Sequence, residues 1–260
     1  MINDKKYLIC SGDSFTDSSY RSTHHPQIDT SWPKWPELLG KKLNMKVINL
    51  GASGHGNEYI YSSLQDIIEK IEDKNQIGMV IAGWSQCNRR DYQTSNAFTL
   101  NNEVFSKWAY SNMWGNDHID QRGYIIGWVK RSLRIFKNFE YMCQYHNIPY
   151  VQIQMIPLFI DYLRKQITEH GYNEYTGEFH KDYNKILKVI LEYEKILNTE
   201  KFMGWPGIEH LGGYPLNYKT LGKGDDKMLY SFGWTVSEKD THPNAKGQEK
   251  IAEYIYDWLG

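Results

Sequence analysis

Tyr7-Leu8-Ile9-Cys10-Ser11-Gly12-Asp13-Ser14-Phe15-Thr16 is a short apolar run that breaks into a small polar turn. Consecutive apolar residues stopped by glycine and aspartate read as a strand buried on both faces, which needs no alternation, followed by a loop. In a parallel sheet such loops gather at one edge, so a hydroxyl placed there meets residues from remote parts of the chain. The far end supplies a complement, Asp240-Thr241-His242-Pro243. A serine hydroxyl attacks poorly at neutral pH unless an imidazole takes its proton and a carboxylate holds that imidazole in one tautomer. Ser14, His242 and Asp240 are those three residue types.

Outward from this strand, Val47-Ile48-Asn49-Leu50 reads as a second strand ended at Gly51, and Ile77 to Ala82 as a third. Between the first two, Ser31 to Leu39 carries two prolines and then a short helical stretch that Gly40 is expected to close. Ile60, Leu64, Ile67, Ile68 and Ile71 recur at helical spacing and mark one apolar face. Trp128, Ser132, Ile135, Phe136, Phe139 and Met142 mark a longer one, before a strand over Tyr150 to Ile156. A further helix is expected over Asp182 to Leu197, and a last one, capped by Asn244, with Ile251, Ile255 and Leu259 inward. Strand and helix thus alternate with crossovers long enough for right-handed parallel connections, which predicts a three-layer α/β/α sandwich. The chain is expected to form one domain, residues 1–260, with loop insertions around 92–123 and 200–233.

Composition narrows the function classes. A formal net charge of -1 gives no electrostatic reason to expect nucleic acid. No apolar window reaches the roughly 20 residues of a membrane span, and the first apolar run is too short for a secretory leader. Three cysteines without ligand spacing, Cys10, Cys87 and Cys143, fit a reducing compartment, so a cytoplasmic location is expected. His24 and His25 belong to no ligand pattern, Asp225 and Asp226 lack the spacing of a calcium loop, and no nucleotide fingerprint follows a strand. Neither metal nor organic cofactor is expected.

A third element lies between the other two: Asn49-Leu50-Gly51-Ala52-Ser53-Gly54-His55-Gly56-Asn57, a strand running into a glycine-rich turn at a helix start. Free backbone N–H groups gather at such a place and can face an anion. With Gly12-Asp13-Ser14 and Asp240-Thr241-His242-Pro243, these blocks resemble, in order, those of the SGNH hydrolases, the GDSL-type esterases and lipases. The resemblance implies a flavodoxin-like sheet of about five parallel strands and an ester hydrolase working through an acyl-enzyme. It implies Ser14 as nucleophile, His242 as base, and the backbone N–H groups of Ser14 and Gly54 in the oxyanion hole.

Two positions depart from the family pattern. Where its third block carries Gly-x-Asn, this chain has Gly83-Trp84-Ser85-Gln86-Cys87-Asn88-Arg89, so the third oxyanion donor is Ser85, which aligns directly, or Asn88. The acid usually stands three residues before the histidine, where this chain has Lys239. Asp240 is the preferred acid, with Glu238 in reserve, and a Ser14–His242 dyad leaning on a backbone carbonyl is the other reading. Asp13, Trp84, Arg89 and Trp205 are the candidate substrate contacts, although Arg89 and Arg90 by default pair with a carboxylate such as Asp91. Trp114, Trp205, Tyr214 and Trp234 in the loop segments suggest sugar stacking, hence a short acyl ester, such as an O-acetyl group on a carbohydrate. The alternatives are a catalytically weak glycan-binding or structural protein on the same fold, and an O-acyltransferase.

Overall fold

The computed structural model describes residues 6–100, 103–112, 125–158, 172–173, 178–179, 181–206, 213–216 and 233–260. Its centre is a five-stranded sheet in the order β2-β1-β3-β6-β9. These strands are β1 (Tyr7–Ser11), β2 (Lys46–Asn49), β3 (Ile77–Trp84), β6 (Tyr150–Gln154) and β9 (Phe202–Met203). Every pairing is parallel. Cys10 lies opposite Asn49 on one side and Ile81 on the other, so β1 and β2 end within a residue of each other while β3 runs on to Trp84. The chain leaves β1 toward β2 and then crosses to β3 on the other side. This reversal opens a crevice at the carboxyl ends of the strands, where open α/β sheets place their ligands.

Helices cover both faces. α1 (Trp35–Leu43) and α5 (Ala245–Leu259) lie on one, with Leu8, Cys10 and Ile81 packed against Trp35, Leu39, Ile251 and Ile255. α2 (Asn57–Lys70), α3 (Ile125–Tyr145) and α4 (Lys181–Glu194) lie on the other, where Ile9, Val80, Ala82 and Trp84 meet Ile60, Leu64, Phe136, Phe139 and Ile190. Successive strand residues point to opposite layers, so β1 serves both cores and stays apolar throughout. The three-layer sandwich read from the sequence is the observed architecture.

Three expectations are corrected. Segment 92–123 is not wholly loop: β4 (Arg89–Leu100) and β5 (Glu103–Asn112) form an antiparallel hairpin beside the sheet. The strand formers Tyr92, Phe98, Val104, Phe105, Trp108 and Tyr110 on either side of Asn101-Asn102 are the signal that a reading of irregular polarity passed over. Gly40 does not close α1; the helix continues to Leu43 and ends on Asn44 in the left-handed conformation, φ 54°. A Cβ on Gly40 would fall 2.1 Å from Val47 Cγ2, so this glycine lets helix and strand approach. Within 200–233, Phe202–Met203 adds the fifth strand, too short to announce itself by periodicity. A further short pair, β7 (Tyr172–Asn173) with β8 (Glu178–Phe179), stands apart from the main sheet.

Candidate active site

Directly after β1, Thr16 N–H and Asp17 N–H both donate to the Asp13 carbonyl, at 2.9 and 3.0 Å, and wind residues 13–17 into one turn. The turn lifts Ser14 to the strand end, nearly buried at 8% exposure. Its hydroxyl oxygen lies 2.7 Å from His242 Nε2, across 228 residues of sequence. His242 Nδ1 lies 2.6 Å from Asp240 Oδ1. Asp240 is buried, whereas Glu238 and Lys239 are exposed, so Asp240 supplies the carboxylate beside the imidazole.

The close spacing of Asp240 and His242 works because of a tight loop. Val236 N–H donates to the His242 carbonyl at 2.9 Å, and Ser237 and Asp240 exchange backbone bonds inside it. Asp240 and His242 therefore project from one side, and His242 N–H returns to Asp240 Oδ1 at 3.2 Å. Asn244 carries the loop into α5: its side chain accepts from Gly247 N–H and donates to the carbonyls of Gly233 and Thr235. His25 Nε2 lies 2.7 Å from Ser237 Oγ and braces the loop from outside. Burial alone would raise the Asp240 carboxyl; hydrogen bonds from Ser22, Tyr20 and His242 outweigh it and lower it to about 2. These bonds favour the ionised form of Asp240.

Sequence reasoning missed Tyr20. Its hydroxyl donates to Asp240 Oδ2 at 2.7 Å and lies 3.0 Å from His242 Nδ1, while its ring stacks on the imidazole at 4.3 Å. Tyrosine is common in this chain, with 20 copies, so nothing in the sequence singles this one out.

The glycine-rich turn is locked to the Ser14 turn. Ala52 N–H donates to the Gly12 carbonyl at 3.0 Å, and Asp17 Oδ2 accepts from Ser53 N–H and Ser53 Oγ at 3.0 and 2.6 Å. A Cβ on Gly51 would fall 2.6 Å from the Thr16 carbonyl carbon, so only glycine permits this approach. Gly54 has φ 82°, which also favours glycine. The N–H groups of Ser14 and Gly54 meet no acceptor among the described residues.

The third block is built differently from expectation. Ser85 is fully buried, and its one hydroxyl proton goes to Asp13 Oδ2 at 3.0 Å, so it is not free to serve an oxyanion. Asn88 lies partly exposed in the turn before β4. Asp13, expected to touch substrate, is fully buried; it pairs with Arg89 at 3.2 Å and accepts from Phe15 N–H. Arg89 Nη1 also reaches Ser85 Oγ at 2.7 Å and the His55 carbonyl at 3.0 Å. One guanidinium thereby ties the three loops together, and its partner is Asp13, not Asp91. Asp91 instead accepts from Gly56 N–H and Tyr59 N–H at the start of α2, and lies 3.1 Å from His55 Nδ1. Trp84 is no substrate contact: it is fully buried, stacked on Phe136, and donates to Gln152.

Of the residues expected to stack on sugar, Trp205, Tyr214 and Trp234 are described, and the contacts they make are within the fold. Trp205 packs on Phe202 at 5.1 Å against the core beneath α2, α3 and α4. Trp234 packs against the opposite core, and Tyr214 N–H donates to the Gly204 carbonyl. Trp114, Asp225 and Asp226 lie outside the described residues. A cavity of about 610 Å³ near Met79, Pro149, Tyr150, Tyr256 and Trp258 opens at the other end of the strands and shares no residue with the Ser14 turn. Among the described residues no helix is long and apolar enough to cross a membrane. All three cysteines are free and buried, and burial raises each thiol, that of Cys87 to about 12.

No protein-family model matches the chain, and no curated protein matches it. Several solved structures are similar over nearly its full length. The psychrotrophic esterase EstA from a Pseudoalteromonas species is 14% identical, with 98% of this chain and 97% of that chain covered and a TM-score of 0.49. A GDSL-like lipase from Bacteroides thetaiotaomicron is 11% identical, with 99% and 89% covered and a TM-score of 0.45. The acetyl xylan esterase AlAXEase is 12% identical, with 98% and 100% covered and a TM-score of 0.44.

Proposed function

We propose that this chain is a serine ester hydrolase of the SGNH type, with Ser14, His242 and Asp240 as its catalytic residues. The observation that carries the reading is the continuous contact from Ser14 Oγ to His242 Nε2 at 2.7 Å and from Nδ1 to Asp240 at 2.6 Å. With Nδ1–H donated to a carboxylate, the Nε2 lone pair faces the serine hydroxyl. Ser14 Oγ attacks the ester carbonyl as its proton passes to Nε2. The negative charge that develops on the carbonyl oxygen is met by the backbone N–H groups of Ser14 and Gly54. Collapse breaks the bond to the alcohol, which leaves with the proton from Nε2. Water then attacks the acyl-enzyme by the same route and regenerates Ser14. Asn88 is the side chain that remains for a third oxyanion donor once Ser85 is committed to Asp13.

Short acyl esters are the proposed substrate class, because Ser14 is nearly buried and Phe15 packs against His242 with ring centres 5.2 Å apart. An O-acetylated carbohydrate fits the same chemistry, without support from aromatic stacking. Turnover of a nitrophenyl acetate, and labelling by a fluorophosphonate located on Ser14 by mass spectrometry, test the reading. Both are expected in wild type and absent in Ser14→Ala, a loss of about 10⁴-fold or more. Equal background rates in the two proteins would leave a binding protein on this fold. An acylated acceptor alcohol among the products would indicate transfer in place of hydrolysis.

A further inference from the structure

We infer that Tyr20 is a positioning residue that holds Asp240 and His242 in register, an inference that rests on the hydrolase reading above. Asp240 Oδ1 already receives both His242 N–H and His242 Nδ1, at 3.2 and 2.6 Å. A carboxylate held through one oxygen can still pivot, and a spacing of two residues brings acid and base from the same small loop. The second oxygen is fixed from outside that loop: Tyr20 OH donates to Oδ2 at 2.7 Å. The same phenol oxygen lies 3.0 Å from Nδ1, and the ring lies against the imidazole with an interplanar angle of 28°. Ser22 also hydrogen-bonds this carboxylate, but Tyr20 touches the carboxylate and the imidazole ring together.

Tyr20 is itself well anchored. It is 8% exposed, its N–H donates to the Asp17 carbonyl at 3.2 Å, and its carbonyl accepts from Thr30 Oγ1. Asp17 also grips Ser53 beside Gly54, so Tyr20 joins the acid–base loop to the glycine-rich turn. Burial, then the hydrogen bond to Asp240, push the phenol's ionisation far above its ordinary value, so it stays a donor. Among the described residues, the titratable groups facing His242 are Asp240 and Tyr20, with Ser14 at Nε2 and Phe15 against the ring.

The experiment compares wild type, Tyr20→Phe, Asp240→Asn and the double variant. It follows the His242 imidazole titration by NMR, and kcat and KM on a nitrophenyl acetate. Phenylalanine keeps the stacked ring and removes only the hydroxyl. The carboxylate then loses a donor and interacts more strongly with the imidazolium, so the His242 pKa is expected to rise by about half a unit to one unit. kcat is expected to fall about tenfold with KM nearly unchanged, because only the proton-transfer geometry is affected. Adding Tyr20→Phe to Asp240→Asn should change neither quantity further. An unchanged titration and kcat in folded Tyr20→Phe, or an equal loss in the Asp240→Asn background, would overturn the inference. Should Tyr20→Phe not fold, wild type decides: a Tyr20 hydroxyl proton protected from exchange and close to His242 Nδ1–H upholds it, and a freely exchanging one overturns it. If wild type neither turns over nor labels at Ser14, the hydrolase reading falls while the titration still decides the coupling.

Discussion

At the scale of single residues, Asp240 and Asp13 are two buried carboxylates with different tasks. Asp240 faces the His242 imidazole, and its carboxyl is lowered from 3.8 to about 2. A depressed folded value means that the stabilisation is complete above the unfolded value near pH 4 and disappears as pH falls through about 2. Asp240→Asn should therefore flatten the acid limb of a stability–pH profile in that window, and lower kcat about 10³- to 10⁴-fold at neutral pH by loosening the tautomer. Among the described residues, the Asp13 carboxylate accepts from Ser85, Arg89 and a backbone N–H. Arg89→Met strands it without its cation and is expected to cost about 3 kcal/mol in urea unfolding; Asp13→Asn with Arg89→Met should recover part of that. Ser14, Asp240 and His242 were legible because they stand in marked blocks, Gly12-Asp13-Ser14 directly after a strand and Asp240-Thr241-His242-Pro243 directly before a helix. Their neighbours were not legible: a buried aspartate beside Ser14 reads as a substrate contact until its partner is seen.

At the scale of elements, local signals located helices well and misjudged what lies between them. The isoleucine and leucine spacing of α2 is visible because one face packs on β1 and β3 and the other is wet. Gly40 misled because glycine has two uses, ending a helix or allowing close approach, and only the position of Val47 distinguishes them. The hairpin of β4 and β5 likewise has a role that no local pattern states. It carries Asp91 to the start of α2, where the carboxylate accepts from Gly56 and Tyr59 N–H groups at 2.8 and 3.0 Å. Those are orphan donors of a helix first turn, and no side chain at the Gly56 cap position can satisfy them. Asp91→Ala is therefore expected to destabilise the fold by about 2 kcal/mol, read from the urea midpoint. Activity should also fall, because His55 and the turn bearing Gly54 lose their anchor.

At the scale of the whole molecule, the candidate site joins the two ends of the chain, and the sheet alone does not hold them together. Ser14 follows β1, while His242 precedes α5, which is retained by packing against α1 and the sheet. Gln248 fixes that docking: its side chain accepts from Trp35 N–H at 2.8 Å and donates to the Phe15 carbonyl at 3.1 Å, one residue from Ser14. Parallel topology was legible from the order of strands and helices, but this clamp was not, since a glutamine in an amphipathic helix ordinarily faces water. Gln248→Ala leaves a buried Trp35 N–H and the Phe15 carbonyl without partners, and is expected to cost about 2 kcal/mol. The cooperative unit is then testable: in wild type, loss of nitrophenyl acetate turnover should follow the same urea curve as the fluorescence of the fully buried Trp35 and Trp84. In Gln248→Ala the two curves should shift together to lower urea. If turnover vanished well before the fluorescence changed, α5 and its loop would be detaching from an intact sheet, and Ser14 and His242 would not belong to one folding unit.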